Sequence, residues 1–300
     1  MRSVVGVGLL CLAASLASSQ DIPVFSSGIE AVQVDVSVLR DGKAVEGLQA
    51  SDFEVRDNGV PQSVEIVSGP HGAIAGADKQ VDVVLALDVS GSVEGEPLEQ
   101  LKAAAHAIVD MLHPGDSFSL LTFSSQIRLA ISPADSRARA HEEIDATQAR
   151  LTTSLYDAAF AAVALPDSTR GRPLAIILSD GEDHGSWLKP EQVLRAAEGS
   201  EPVVHVVLTR QTGEGEQPTF LRDLADTTGG QEWLADYAQL REVLMKALEE
   251  FRSRYTLRYE PQGVAPAEWH ELDVRVRQAR VKVRARSGYV GDAARASGQP

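Results

Sequence analysis

Three oxygen-bearing side chains follow an apolar run in the first half of the chain, at a spacing typical of a metal site. Asp88, Ser90 and Ser92 alternate in the stretch VDVVLALDVSGS, where Gly91 allows a turn. An acid at the end of a buried strand is costly to desolvate unless something pairs with it. One carboxylate and two hydroxyls converging on one point are the hard oxygen ligands that Mg²⁺ prefers, with water at the remaining positions. This stretch therefore predicts a magnesium site.

The apolar run before these side chains predicts the element that positions them. Residues 83–87 are all apolar and too few for a typical helix, which favours a strand buried on both faces of a parallel sheet. From residue 80 to residue 252, similar runs alternate with helical patterns. This alternation predicts an α/β fold with a doubly wound, mostly parallel sheet and helices on both of its faces.

The elements expected in this region share clear apolar periodicity. After a first helix around residues 98–112, we predict strands at 117–123, 127–131, 173–179, 202–209 and 231–234, and helices at 134–150, 154–165, 190–197, 221–228 and 237–252.

Alternating apolar and polar residues at both ends of the chain predict antiparallel strands. The expected strands lie at 29–39, 53–56 and 64–67, and again at 255–259, 272–276 and 281–286. Neither group is large enough to fold comfortably alone. We therefore expect one small β-sandwich with the α/β domain inserted between its halves; two separate sheets packed on the α/β body are the alternative. The expected domains are a signal peptide at 1–19, a sandwich at 29–68 plus 254–290, the α/β domain at 80–252 and a disordered tail at 291–300.

Asp88-x-Ser90-x-Ser92 resembles the metal-ion-dependent adhesion site (MIDAS) of von Willebrand factor type A (VWA) domains, which are Rossmann-like. That site also needs a Thr from a second loop and an Asp from a third. Thr153 in LTTSLYDA and Asp180 in PLAIILSDGED follow in that order. The resemblance implies that the two serines coordinate Mg²⁺ directly. It implies that Thr153 does so directly in one state and through water in another, and that Asp88 and Asp180 supply negative charge.

The resemblance also implies what the metal does. Few direct carboxylate ligands leave the ion electrophilic, so its open position is expected to take an Asp or Glu carboxylate of a protein partner. Mn²⁺ and Ca²⁺ are alternatives to Mg²⁺. Residues 24–290 further resemble the VWFA-related family first noted in Acidobacteria, through segments such as HPGDSFSLLTFSS, LSDGEDHGS and FRSRYTLRY. One departure is Val93 after the second serine, where Met is commoner.

Five residues near these loops are candidates for indirect roles. Asp157 either completes a capping box with the serine of SLYDA or supports the metal ligands. Glu182 and Asp183 are either solvated loop acids or supports of the same kind. His184 and Trp187 are expected on the metal-bearing face, either in contact with a partner or as ordinary loop residues.

Charge and composition restrict the partners. The formal net charge of −15 argues against nucleic acid and anionic membrane as general partners. An arginine-rich stretch at 252–286 runs against this balance, and it predicts either solvated strand faces or a site for an anionic partner.

The start of the chain has the pattern of a secretory signal. Arg2 gives a positive end, residues 4–17 are an apolar stretch too short to span a bilayer comfortably, and small residues precede an expected cleavage near Ser19. The single cysteine, Cys11, lies inside this segment, so disulfides are not expected afterwards. We expect a secreted or periplasmic protein without membrane insertion after signal cleavage.

These features favour an exported, magnesium-dependent binding module of the adhesion type over an enzyme. The sequence contains no phosphate-binding G-x-x-x-x-G-K-[ST] loop, no G-x-S-x-G nucleophile motif and no histidine-rich metal motif. A structural or assembly role in the cell envelope, with a non-essential metal site, is the main alternative, and a metal-dependent hydrolase is a weaker one.

Overall fold

The computed structural model describes residues 31–70, 80–150, 152–209 and 219–291. The predicted signal peptide at 1–19 and, beyond residue 291, the predicted tail lie outside these residues.

The first strands are β1 (Val32–Arg40), β2 (Lys43–Ala44), β3 (Phe53–Asp57), β4 (Val60–Gln62) and β5 (Glu65–Ser68). The middle part contains, in order, β6 (Val81–Asp88), α1 (Glu96–Met111), β7 (Ser117–Phe123), β8 (Ile127–Ile131), α2 (Arg137–Asp145), α3 (Leu155–Ala164), β9 (Arg172–Ser179), α4 (Pro190–Glu198), β10 (Val203–Thr209), α5 (Thr219–Thr228), β11 (Glu232–Ala235) and α6 (Leu240–Arg252). The last strands are β12 (Tyr255–Tyr259), β13 (Trp269–Val276), β14 (Lys282–Arg284) and β15 (Gly288–Val290).

A six-stranded sheet forms the middle of the chain, in the order β11-β10-β9-β6-β7-β8. Its neighbouring strands are parallel except for β8, which runs antiparallel to β7. Successive side chains of a strand point to opposite faces, and β6 buries both sets. Leu85 packs into the core that contains α1 and α6, whereas Val84 packs into the core that contains α3, α4 and α5. Helices therefore cover both faces, and the predicted doubly wound α/β fold is confirmed.

The strand order reverses beside β6, and this reversal defines a crevice. The chain passes from β6 to β7 and β8 on one side, then returns to β9 on the other side. The pairing of β6 with β9 runs in register from Val81 opposite Arg172 to Leu87 opposite Leu178. Open α/β sheets bind ligands outside the carboxyl ends of the strands at such a reversal. The side chains that follow Leu87 and Leu178 therefore meet in the expected binding crevice.

Two small antiparallel sheets combine strands from both ends of the chain. One has the order β14-β1-β12-β5 with β2 beside β1, and the other has the order β15-β13-β3-β4. In the first sheet Val34 lies opposite Leu257, and in the second Val55 lies opposite Val274. A third apolar core contains residues from both sheets, including Val36 and Phe53 from the first half and Tyr255 and Leu272 from the second. Within the described residues, the strands before and after the α/β domain thus share one apolar core, which is the arrangement expected of a joined sandwich.

Arginines fix the sandwich to the α/β domain. The Arg172 guanidinium donates to Asp35 Oδ1 from Nη2 at 2.7 Å, and Arg254 Nη1 donates to the carbonyl of Gly229 at 2.8 Å. Gly229 has a positive φ of 75°, and a Cβ there would lie 2.4 Å from the backbone nitrogen of Arg286. Arg254, a member of the arginine-rich stretch, therefore binds a backbone carbonyl of the same chain. Neither of the two predictions for that stretch, solvated strand faces or a site for an anionic partner, included such a contact.

Some element bounds differ from the predictions. The helix predicted at 134–150 is limited to Arg137–Asp145, and its start is fixed by the Ser136 side chain, which accepts from Arg139 N. The sequence analysis missed β2, β4 and β15, which have two or three residues each and are too short for an alternating pattern to show.

Candidate metal centre

Asp88 ends β6 and lies at the bottom of the crevice, where only 2% of its surface is exposed. Both of its carboxylate oxygens accept hydrogen bonds. Ser90 N donates to Oδ1 at 3.0 Å and Ser179 Oγ donates to Oδ2 at 2.8 Å. Ser179 is the last residue of β9 and did not appear among the predicted site residues, although its place directly before Asp180 could have indicated it. The neighbouring strand thus orients this carboxylate.

Three of the predicted ligands form a continuous row of oxygens. The hydroxyls of Ser90 and Ser92 lie 3.0 Å apart, and Ser92 Oγ donates to Asp180 Oδ2 at 2.9 Å. Asp180 itself is held by the backbone, since Glu182 N donates to its Oδ1 at 3.1 Å. The loops after β6 and β9 therefore bring two hydroxyls and a carboxylate together at the strand-order reversal.

Burial changes the acidity of this site. Desolvation raises the pKa of the Asp88 carboxyl to about 6, and the charge of Asp180 adds to the effect. Hydrogen bonds from Ser90 and Ser179 act in the opposite direction. A divalent cation beside the carboxylate would favour its charged form, because an opposite charge nearby lowers an acid's pKa.

Thr153 reaches the same edge of the sheet through backbone contacts. The residue is 3% exposed, and its carbonyl oxygen accepts from His184 N at 3.0 Å. The next residue, Ser154, donates its backbone N–H at 2.8 Å to the carbonyl of Ser124, which follows β7. The Thr153 loop is thus attached to the loops that follow β7 and β9.

Asp183 and Asp157 tie the start of α3 to the loop after β9. The Asp183 carboxylate accepts from Leu155 N at 2.7 Å, so it caps α3 from another loop. In return, the Asp157 carboxylate accepts from the backbone N–H groups of Trp187 at 3.0 Å and Leu188 at 2.8 Å. Asp183 is therefore not a solvated loop acid, and Asp157 binds another loop and not its own turn, while their support of the metal ligands stays a prediction.

The capping box predicted for α3 is wrong. Ser154 is the residue before the helix, but its side chain makes no capping hydrogen bond. The first backbone N–H groups of α3 instead donate to Asp183 and to Ser186 Oγ, which accepts from Tyr156 N at 3.0 Å. A cap supplied across 28 positions of sequence leaves no local pattern to recognise.

Asp183→Ala is therefore expected to lower the free energy of unfolding by about 1 kcal/mol, because helix caps contribute roughly 0.5–2 kcal/mol. Denaturant unfolding monitored by circular dichroism measures this loss. Ser154→Ala is the matched control and is expected to have a smaller effect; a larger effect of Ser154→Ala would contradict the assignment of the cap.

The remaining predicted residues lie on the solvent side of the crevice. Glu182 and His184 are both largely exposed and pair with each other, with 3.0 Å between Oε2 and Nε2. Trp187 is 94% exposed, which is unusual for a large apolar side chain. Glu182 thus pairs with a residue outside the row of oxygens. The Trp187 side chain, in the loop that follows β9, is accessible to a partner.

Tyr237 is a neighbour of the site that the sequence analysis missed. It opens the short 3₁₀ helix Tyr237–Gln239, directly before α6. Burial raises the pKa of its hydroxyl, and the negative charges of Asp180 and Asp88 raise it further. Its position after β11, at the carboxyl edge of the same sheet, is the signal that could have indicated it.

The chemistry of these side chains fits a hard divalent cation. The row offers hydroxyl and carboxylate oxygens without nitrogen or sulfur donors, which suits Mg²⁺, Mn²⁺ or Ca²⁺. Across the described residues, no group of three or more His, Cys, Asp or Glu side chains could hold a metal. A metal here would therefore depend on hydroxyls and water, as the predicted MIDAS does.

Comparisons with known proteins agree on the α/β domain. The sequence profile of the von Willebrand factor type A domain matches residues 82–244. The inter-alpha-trypsin inhibitor heavy chain H1 of Bos taurus is 28% identical over 128 residues, which cover 38% of this chain and 14% of that protein. Heavy chain H4 of Homo sapiens is 31% identical over 125 residues, covering 37% of this chain and 13% of that protein. The match thus spans about one seventh of the length of these relatives.

Solved structures share the fold. A von Willebrand factor type A protein from Catenulispora acidiphila has a TM-score of 0.51 at 16% identity, covering 87% of this chain and 74% of that chain. Proximal thread matrix protein 1 from the mussel byssus, with a zinc-occupied MIDAS motif, has the same TM-score and identity and covers 65% of this chain and 49% of that chain.

Domains of this family are protein-interaction modules, generally without enzymatic activity, and bind a divalent metal at a MIDAS site. None of the helices in the described ranges is long and apolar enough to cross a membrane. The profile covers more than half of the chain, and the sheet order and helical layers agree with it. The chain belongs to the von Willebrand factor type A domain family.

Proposed function

We propose that the protein is an exported binding module that holds Mg²⁺ at its MIDAS and recognises an acidic residue of a protein partner. The ligands are Asp88, Ser90, Ser92, Thr153 and Asp180. The export part of this proposal rests on the apolar signal pattern at residues 4–17.

One observation carries the proposal: the row of oxygens from Ser90 through Ser92 to Asp180 lies at the strand-order reversal. Hydroxyls bring no charge to a metal. With Asp88 and Asp180 acting through water, the direct ligands of the ion are neutral hydroxyls and water, so the ion keeps a local positive field at its open position. A carboxylate from outside is the ligand that compensates such a field.

Mg²⁺ is the proposed ion because the donors are oxygens and because Mg²⁺ retains several waters in protein sites. Zinc is the competitor that any titration must include, since it occupies the MIDAS motif of the mussel protein. Zinc prefers nitrogen and sulfur ligands, which the row of oxygens does not offer.

Trp187→Ala is expected to weaken partner binding about 30-fold or more, because buried interface tryptophans commonly contribute 2 kcal/mol or more. The side chain stands beside the crevice without burial of its own, so metal affinity and the free energy of unfolding should not change. Calorimetry with the metal and with a selected ligand separates the two effects. Leu234→Ala, which removes another exposed apolar side chain, is the control.

The test of the proposed function is a titration of the full chain with Mg²⁺, Mn²⁺ and Zn²⁺, followed by selection from a random peptide library with Mg²⁺ or with chelator. Selected peptides are expected to contain Asp or Glu and to lose binding when that residue becomes Asn or Gln. Metal binding without any carboxylate-dependent peptide would favour the envelope assembly role, and absence of metal binding would contradict the proposal.

A further inference from the structure

A second cluster of titratable side chains lies between α1 and α2, in the part of the sequence between Ser92 and Thr153. Each helix carries a histidine followed four residues later by an aspartate: His106 and Asp110 on α1, His141 and Asp145 on α2. Residues four apart share one face of a helix. The two faces meet crosswise, so that each histidine contacts the aspartate of the other helix and the two imidazoles contact each other.

The contacts are short and nearly symmetrical. His106 Nε2 lies 2.9 Å from Asp145 Oδ1, and His141 Nε2 lies 3.3 Å from Asp110 Oδ1. The two Nδ1 atoms are 2.6 Å apart. The ring centroids are 4.9 Å apart, and the ring planes differ by 17°. The much smaller distance between the nitrogens shows that the rings face each other edge to edge through their Nδ1 atoms.

This arrangement leaves one position that needs a cation. A neutral imidazole carries a hydrogen on one nitrogen and a lone pair on the other, and a carboxylate is an acceptor only. Asp145 therefore keeps a hydrogen on His106 Nε2, and Asp110, 3.3 Å from His141 Nε2, favours the same tautomer of His141. Both Nδ1 lone pairs then point at each other, and such a pair is stable only with a proton or a metal ion between them.

We propose that His106 and His141 form a second metal site, which takes Cu²⁺ or Zn²⁺ through their Nδ1 atoms. Imidazole suits these ions and does not suit Mg²⁺. Histidine ligands of metals almost always donate the other ring N–H to a carboxylate or carbonyl, and both carboxylates are already in place here.

Access and geometry are compatible with the site. The histidine side chains are 26% and 35% exposed, and the aspartates are 72% and 69% exposed. Metal–nitrogen bonds are about 2.0–2.1 Å long, so a metal in line between the two Nδ1 atoms needs them about 4 Å apart. The rings must therefore separate by about 1.5 Å from the 2.6 Å between these atoms here. Both lie at the protein surface on separate helices, where side-chain rotation provides this movement. Water completes the coordination, in keeping with a site of only two protein nitrogens.

The test is calorimetric titration of the full chain carrying Asp88→Asn, so that the MIDAS does not compete for the added metal. One equivalent of Cu²⁺ or Zn²⁺ is expected to bind, with Cu²⁺ tighter than Zn²⁺. Titration in buffers of different ionisation enthalpy is expected to show release of about one proton per metal, because the metal replaces the shared proton.

Variants locate the site. His106→Ala and His141→Ala are each expected to abolish saturable binding, and Asp145→Asn to weaken it roughly 10–100-fold. His113→Ala, just beyond α1, is the control and is expected to bind like the parent. Circular dichroism verifies that each variant is folded. Binding that persists in the double variant His106→Ala/His141→Ala, or no saturable binding in the parent, would overturn the proposal and leave a pair that shares only a proton.

Discussion

Replacing Asp88 with Asn is expected to lower the affinity for Mg²⁺ and Mn²⁺ by roughly 100-fold or more, since losing even an indirect partner of a metal ligand costs about 10–100-fold. The amide has the shape of the carboxylate and can still accept a hydrogen bond, so the fold is expected to remain. The negative charge of this buried carboxylate disappears. Calorimetric titration measures the affinity.

Two variants make this result specific. Glu182→Gln removes an acid two residues after Asp180, in the loop that follows β9. That carboxylate pairs with His184, so metal binding should be unchanged. Asp88→Ala is less informative, because it leaves the donors Ser90 N and Ser179 Oγ without an acceptor at a cost of about 1–3 kcal/mol. Unchanged metal binding by Asp88→Asn would contradict the assignment of the ligands.

Arg254→Met is expected to lower the free energy of unfolding by about 3–5 kcal/mol, the usual cost of removing one member of a buried ion pair. The arginine is fully buried at the end of α6, where Nε donates to Glu250 Oε1 at 3.1 Å and Nη1 donates to the carbonyl of Gly229. Without it, the Glu250 carboxylate keeps the hydrogen bonds of His205 and Ser37 but loses the positive charge of the arginine. Denaturant unfolding measures the loss.

The same cluster predicts a pH dependence. Burial alone would raise the pKa of the Glu250 carboxyl, but the charge of Arg254 and the hydrogen bond of His205 hold it below its usual range. An acid whose pKa is lowered on folding contributes stability above its unfolded pKa and loses it as the pH falls. The protein should therefore lose stability on acidification below about pH 4.5, and Arg254→Met should lose less over that range.

Lys246→Met is the matched control for this pair. It removes an exposed cation of the same helix that pairs with the exposed Glu242, and surface pairs of this kind contribute little. No measurable change is expected. A change as large as that of Arg254→Met would mean that the charge of α6, and not the buried pair, sets the stability.

Local patterns were sufficient for the central sheet. The apolar run of β6 predicted a strand buried on two faces, as observed, and the bounds predicted for β7 and β8 are also those observed. This success has a physical cause. A parallel strand covered by helices on both faces must be apolar throughout, so its sequence signal is strong.

Contacts between distant residues account for what the sequence analysis missed. The cap of α3 comes from Asp183, and Asp88 is oriented by Ser179, 91 positions away. The arginines that attach the sandwich could not be distinguished from solvated ones, because a guanidinium bound to a backbone carbonyl and one in water have the same local sequence. The crosswise pairs of α1 and α2 depend in the same way on how two helices pack.

The pairing of the first strand with the last ones has a consequence for how the chain folds. Thr256 Oγ1 donates to Asp35 across 221 positions of sequence. β1 therefore cannot form its pairing with β12 until that distant part of the chain is present. Closing so long a loop is slow and entropically costly when the intervening chain is unfolded. Once the α/β domain has formed, its own ends hold β1 and β12 near each other. Folding of the central domain therefore brings the two halves of the sandwich together, and β1 can pair with β12 only after β12 has been synthesised.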